Sequence, residues 1–211
     1  MEFNYLVIEG NIGAGKTTLA RQIASEYNAR LILEQFDQNP FLPKFYEDPD
    51  RYAFPVELAF LADRYQQLKK QIANRDLFQE KTVADYYFVK SLIFSKNTLK
   101  DDEYNLYRRL FEIIQQQLPI PDMYVYLHVE VDNLLRHIKK RGRSYENRIS
   151  RNYLETIQKG YFDFIKQRSD LTIIVLDVNN LDFVNNPDHY NRITNALFSG
   201  PFKPGMNMVI P

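Results

Sequence analysis

Eight consecutive residues, Gly10-Asn11-Ile12-Gly13-Ala14-Gly15-Lys16-Thr17, follow the pattern G-x-x-x-x-G-K-[ST]. In such a loop the backbone N–H groups converge on phosphate oxygens. The lysine, here Lys16, reaches the outer phosphates, and the hydroxyl of Thr17 is placed to ligate Mg²⁺. The four fixed positions arise by chance in a chain this long at roughly the one-in-a-hundred level. The loop also follows an apolar run and opens a helical pattern, the context that phosphate binding requires.

The loop alone does not separate a phosphotransferase from a GTPase or a motor ATPase. A GTPase would carry an N-K-x-D motif after a later strand. The nearest candidate, Asn179-Asn180-Leu181-Asp182, lacks the lysine. A motor ATPase is usually larger. A basic segment, Arg136-His137-Ile138-Lys139-Lys140-Arg141-Gly142-Arg143, followed by Arg148 and Arg151, favours phosphoryl transfer. Arg141 and Arg143 flank a glycine that breaks a helix, so they can close on phosphates and stabilise charge on the transferring group.

Two carboxylates stand at the ends of apolar runs, Glu34 after Leu31-Ile32-Leu33 and Asp85 after Val83-Ala84. One can take the proton of an alcohol as its oxygen attacks phosphorus. The other can hold Mg²⁺ beside Thr17, usually through water. Spacing does not decide which does which.

These residues need a scaffold that brings them to one edge. Strands are expected at residues 3–9, 30–34, 82–85, 122–129 and 171–177. Helices are expected at 16–27, 51–74, 88–95, 101–118, 132–141, 151–168 and 187–197. Short apolar strands alternating with helices predict an α/β fold, a parallel five-stranded sheet flanked by helices, with ligands at the carboxyl ends of the strands. Residues 1–198 read as one domain. The tail, residues 199–211, has three prolines and two glycines and reads as an extended or loosely ordered end.

Composition narrows the class. The 211 residues carry 27 basic and 27 acidic side chains, a balance that argues against a nucleic-acid partner. With no cysteine, thiol nucleophiles and Cys-ligated zinc are excluded. The opening segment lacks a basic, apolar leader and no run is long enough to span a bilayer, so no membrane partner and a cytoplasmic location are expected.

The chain resembles the deoxyribonucleoside kinases, and among them the bacterial deoxyguanosine and deoxyadenosine kinases. The stretches that carry the resemblance are Glu9 through Thr18, Asn39-Pro40-Phe41-Leu42 with Lys44-Phe45-Tyr46, Ala84-Asp85-Tyr86-Tyr87 and Lys140-Arg141-Gly142-Arg143. The resemblance implies a phosphate-loop kinase fold with an arginine-rich lid and transfer of the γ-phosphoryl group of ATP, with Mg²⁺, to the 5′-hydroxyl of a purine deoxyribonucleoside in nucleotide salvage. It implies Glu34 as general base, Asp85 as the acid that organises Mg²⁺, and Arg141 and Arg143 on the phosphates. Tyr46 and Glu146 would hold the 3′-hydroxyl, Tyr46 crowding a 2′-hydroxyl. Glu57 and Arg64, seven apart on one helix face, would read the base. The loop through Asn179, Asp182 and Phe183 would cover the adenine of ATP. A homodimer built on helices 51–74 and 101–118 is implied as well.

Three positions depart from the commoner family pattern: Tyr86 stands where an arginine follows the acid, His137 where a further lid arginine is common, and Glu57 where many members have glutamine. An ionised Glu57 offers two acceptor oxygens to the N1–H and N2–H₂ donors of guanine, which predicts deoxyguanosine first and deoxyadenosine second. The alternatives are an ion pair between Glu57 and Arg64 that reads nothing, with specificity near Lys90 and Ser91; a thymidylate-type monophosphate kinase, for which Arg64 would have to take the acceptor's phosphate; and a nucleotide-binding switch without catalysis.

Overall fold

A computed structural model describes residues 3–35, 39–73 and 80–211. Its sheet is ordered β2-β3-β1-β4-β5-β6, and every neighbouring pair runs parallel. The strands are β1 (Tyr5–Gly10), β2 (Arg30–Ile32), β3 (Thr82–Ala84), β4 (Met123–His128), β5 (Thr172–Asp177) and β6 (Gly205–Val209). Parallel neighbours need crossovers. These are α1 (Lys16–Glu26), α2 (Leu42–Glu47), α3 (Pro49–Ala73), α4 (Lys90–Thr98), α5 (Asp101–Gln115), α6 (Val131–Arg141), α7 (Arg151–Gln167) and α8 (Pro187–Phe198), with a short 3₁₀ turn at Ser144–Arg148.

Alternate residues of the central strands feed two apolar layers. Leu6 and Ile8 of β1 pack with Leu19 and Ile23 of α1, Leu134 and Ile138 of α6, and Ile193 and Leu197 of α8. Val7, between them, faces Leu61 and Leu68 of α3, Phe111 of α5 and Ile157 and Ile165 of α7. Because both faces are covered, the strands read as continuous apolar runs rather than alternating ones. Each fully buried Leu, Ile or Phe contributes roughly 1.5–3 kcal/mol relative to an exposed one. Helix starts are set locally. The Ser150 side chain accepts the Tyr153 N–H at 3.1 Å, and the Asn186 side chain accepts that of Asp188 at 2.9 Å ahead of Pro187.

The sheet has six strands, not the expected five, because the extended part of the tail pairs with it rather than lying loose. Residues 205–209 form β6 along the β5 edge, Thr172 opposite Gly205 through Leu176 opposite Val209. The Asn207 side chain adds a bond to the Ile173 carbonyl at 3.1 Å. As an edge strand with one partner, β6 leaves Met206 and Met208 exposed. It therefore lacks the apolar run that marks a central strand, and its flanking prolines read as a breaker. The 42–47 helix was not expected. The helix expected over 88–95 runs from Lys90 to Thr98, and β2 stops at Ile32, two residues before Glu34. The expected end of the long helix at residue 74 lies outside the described residues.

Candidate active site

The loop after β1 turns on glycines. Gly15 has φ +89°, and a Cβ there would lie 2.6 Å from the Phe183 ring, so position 15 needs the left-handed backbone and the missing side chain together. Gly10 and Gly13 also take positive φ. Within the loop, Ala14 N–H and Lys16 Nζ both donate to the Asn11 carbonyl, at 3.2 and 2.9 Å. The Asn11 amide reaches the Leu154 carbonyl of α7 at 2.8 Å, which ties the loop to that helix. Ile12, Gly13, Lys16 and Thr17 line an open cleft with about 830 Å³ of empty space including its mouth. Burial and the nearby ammonium of Lys90 lower the Lys16 pKa to about 8, against the raising effect of Glu9, Glu34 and Asp85.

Both strand-end acids reach this cleft. Asp85 joins three segments: its Oδ2 accepts the Thr17 hydroxyl at 2.5 Å, and its Oδ1 accepts the Glu34 backbone N–H at 2.8 Å. Burial raises its pKa. Thr17 and Asp85 are hard oxygen donors, the set Mg²⁺ takes when it also binds substrate phosphates and water. Among the described residues no cluster of three or more His, Cys, Asp or Glu forms a ready-made metal cage.

Glu34 is held between two cations. Arg64 donates to Oε1 through Nε at 2.9 Å and Nη2 at 2.6 Å, and Lys90 donates to Oε2 at 2.5 Å. Burial alone would raise the Glu34 pKa. Lys90 and Arg64 outweigh it and bring it down to about 2. Arg64 also reaches the Ser91 hydroxyl at 2.7 Å. The Glu57–Arg64 ion pair weighed from helical spacing does not form; Arg64 goes to Glu34 instead. Glu57 is buried in the same cleft, with Oε1 taking the Thr98 hydroxyl at 3.0 Å.

Across the cleft, Arg141 binds both oxygens of Glu146 at 2.6 Å, and Arg143 adds a contact at 3.3 Å. Tyr46 lines the same wall and stacks on Tyr145, ring centroids 5.9 Å apart. Glu146 thus pairs with the two arginines, while sharing the cleft with Tyr46. The Tyr86 hydroxyl donates to Gln67 at 2.9 Å, and His137 is hydrogen-bonded to the Gly13 carbonyl at 2.9 Å. Arg136 is engaged by Asn133 on its own helix.

Among the residues expected on ATP, Gly10, Asn11, Ala14, Gly15 and Thr18 shape the loop without lining the cleft. Phe183 packs on Gly15, and its carbonyl accepts Gln22 at 2.9 Å. Asn179 accepts the Glu130 N–H at 2.6 Å, and Asp182 binds the Asn185 amide, so both brace the loop after β5 rather than enter the cleft.

Two buried charged residues do work that the sequence does not show: Lys90, a candidate only for base specificity, pairs with Glu34, and Glu9 has no expected role. Lys90 is a lone lysine in the apolar run Tyr86-Tyr87-Phe88-Val89-Lys90, a signal that could have marked it. Glu9 is fully buried at the end of β1, accepting the Tyr87 N–H at 2.7 Å and the Tyr161 hydroxyl at 2.8 Å. An acid among five otherwise apolar or glycine positions of a central strand is the corresponding signal.

Residues 6–199 match the family model described as deoxynucleoside kinase. The chain is 35% identical over 196 residues to the deoxyguanosine kinase of Bacillus subtilis, covering 90% of this chain and 93% of that protein. It is 29% identical to the deoxyadenosine/deoxycytidine kinase of the same organism, over 92% of this chain and 91% of that one. Among solved structures, the deoxyadenosine kinase of M. mycoides with bound dATP superposes with a TM-score of 0.77 at 27% identity, covering 92% of this chain and 98% of that chain.

Proposed function

This chain belongs to the deoxynucleoside kinase family, and we propose that it transfers the γ-phosphoryl group of ATP, with Mg²⁺, to the 5′-hydroxyl of a purine deoxyribonucleoside, deoxyguanosine before deoxyadenosine. The observation that carries the reading is the chain of contacts from the phosphate loop through Thr17 and Asp85 to Glu34, which puts a carboxylate beside the phosphate site in one cleft. Mg²⁺, held by Thr17 and Asp85, would neutralise charge on the phosphates.

In this reading Glu34 accepts the 5′-hydroxyl proton. Each of its oxygens is fixed by a cation, so the carboxylate is aimed and stays ionised. A base held near pKa 2 takes a proton reluctantly, which matches a loose transition state in which the attacking oxygen develops little charge before it bonds to phosphorus. Lys16, Arg141 and Arg143 stabilise the transferring group; the two arginines leave Glu146 to do so. Lys90 supplies a cation next to Glu34, where Tyr86 does not. Tyr46 and Glu146 hold the sugar, and Glu57 faces the base, with Arg64 on the same helix fixed by Glu34 and Ser91. The deoxyguanosine preference rests on Glu57 and on the Bacillus subtilis relative; the deoxyadenosine kinases among the similar proteins favour the second substrate. A monophosphate acceptor is disfavoured, because Arg64 is already engaged by Glu34 and Ser91.

The reading includes a cytoplasmic homodimer built on α3 and α5. Among the described residues, no helix is long and apolar enough to cross a membrane. The test is a coupled assay of ADP release with ATP and Mg²⁺ across the deoxyribonucleosides, the ribonucleosides and the monophosphates. Deoxyguanosine is expected to give the highest kcat/KM. Equal values for deoxyguanosine and guanosine would remove the assignment to deoxyribose, and a monophosphate as best acceptor would remove the nucleoside assignment.

A further inference from the structure

Glu57 lies within α3, 4% exposed, in the wall of the cleft. Its Oε1 has the Thr98 hydroxyl, but its Oε2 is buried with no hydrogen-bond partner. The guanidinium that could satisfy it, Arg64, is committed to Glu34 and Ser91. A buried carboxylate oxygen without a donor is costly. Glu57 lines the ligand cleft, so a ligand seated there can supply the missing partner, and a carboxyl group can be completed in two ways. Ionised, it is a pure acceptor and matches two adjacent donors. Protonated, it pairs one donor with one acceptor, as an amide does.

We infer that Glu57 chooses between the two purines by its own proton: the carboxylate takes the N1–H and N2–H₂ edge of guanine, and the carboxylic acid takes the N1 and N6–H₂ edge of adenine. The inference rests on the reading of the cleft as a purine deoxyribonucleoside site. Each mismatch leaves a buried group unpaired. Guanine against the acid sets two donors face to face, and adenine against the carboxylate sets two acceptors face to face.

The surroundings put the proton within reach of physiological pH. Burial pushes the Glu57 pKa up to about 7. Opposing it are Arg64 on the same helix, the Thr98 hydroxyl and Lys90 on α4, while Glu34 adds to it. The phenols of Tyr107 on α5, Tyr46 on α2 and Tyr153 on α7 also face Glu57, and all three stay neutral because burial raises them well above their ordinary value. Glu57 is therefore the group facing this part of the cleft that changes charge around neutrality.

The experiment measures kcat/KM for deoxyguanosine and for deoxyadenosine from pH 5.5 to 8.5. Ionisations that affect both substrates equally, at Lys16 or on ATP, cancel in the ratio. The ratio of deoxyguanosine to deoxyadenosine is expected to rise roughly tenfold or more with pH, with a midpoint near 7. Glu57→Gln is expected to show a flat ratio shifted toward deoxyadenosine. Thr98→Val, which removes the donor that stabilises the ionised form, should move the midpoint up and keeps the test open if Glu57→Gln does not fold. Calorimetry in buffers of different ionisation enthalpy gives a readout independent of turnover: proton release when deoxyguanosine binds at pH 6 and proton uptake when deoxyadenosine binds at pH 8. A wild-type enzyme active on both purines with a ratio independent of pH overturns the inference and leaves the kinase reading standing. Phosphorylation of neither purine at any pH overturns the substrate reading and the inference with it.

Discussion

Glu34 illustrates how a residue acquires its chemistry from partners distant in sequence. Its ordinary carboxyl pKa of 4.5 falls to about 2 because Lys90 and Arg64 overcome the cost of burial. A group whose folded-state pKa is depressed contributes stability above its unfolded pKa and loses it as pH falls through the folded value. The wild-type protein should therefore lose stability between about pH 4.5 and 2 in part through Glu34, and Glu34→Gln should show a shallower loss over the same range in urea titrations. The same variant should keep nucleoside binding and lose about 10²–10⁴-fold in kcat. A loss under about threefold, with Asp85→Asn the more damaging change, would exchange the roles of the two acids. Lys90→Met removes one partner of a buried pair. Breaking such a pair typically costs about 3–5 kcal/mol; because Arg64 remains on Glu34, a destabilisation near the lower end is expected by chemical denaturation, with Lys90→Arg restoring part of it.

Elements place these residues by where they begin and end. Glu34 follows β2, Asp85 follows β3 directly and the phosphate loop follows β1, so three parallel strands deliver their chemistry to one edge. Lys90 opens α4 and Glu57 and Arg64 share α3, which makes the junction of these two helices the floor beside Glu34. At the opposite side of the sheet, β6 covers the β5 edge. A chain ending at Ser199 would expose the backbone edge of β5, and an uncovered apolar edge is a template for association. Truncation is expected to lower the melting temperature and raise aggregation on heating, read by calorimetry and light scattering. An unchanged melting temperature would mean that β6 is only loosely coupled to the sheet. The strand alternation and most helices were legible in the sequence because periodicity and capping are set within a few residues. The edge strand was not, since Met206 and Met208 face outward and its pairing depends on where β5 lies.

At the scale of the molecule, charges balance, and the surface leaves several large apolar residues exposed. Leu58 on α3 is 38% exposed, and Leu106 and Ile113 on α5 are 43% and 64% exposed. The two helices are neighbours, joined where the Tyr107 hydroxyl donates to the Glu57 carbonyl at 3.3 Å. Exposed apolar side chains on two neighbouring helices are the kind of surface that a self-complementary interface covers. Sedimentation should show a dimer for the wild type, and Ile113→Glu with Leu106→Glu should shift it to the monomer. A wild type that sediments as a monomer at micromolar concentration would remove the dimer from the proposed function. Because Tyr107 links α5 to Glu57, the double variant is also expected to change KM for the nucleoside more than KM for ATP.

The phosphate-loop motif was readable directly, because Gly10 through Thr17 are contiguous and their geometry is dictated by the loop's own backbone. Glu34 and Asp85 were readable as acids at strand ends, since topology carries such positions to one edge whatever the packing. Their wiring was not. Helical spacing pairs Glu57 with Arg64, yet the fold gives Arg64 to Glu34 and leaves an oxygen of Glu57 open. Nor does spacing bring Lys90 to a residue 56 positions away. Turns, caps and periodic faces are decided by neighbours along the chain. Ion-pair partners, and with them the protonation states that chemistry depends on, are decided by distances between elements, which exist only once the helices are packed on the sheet.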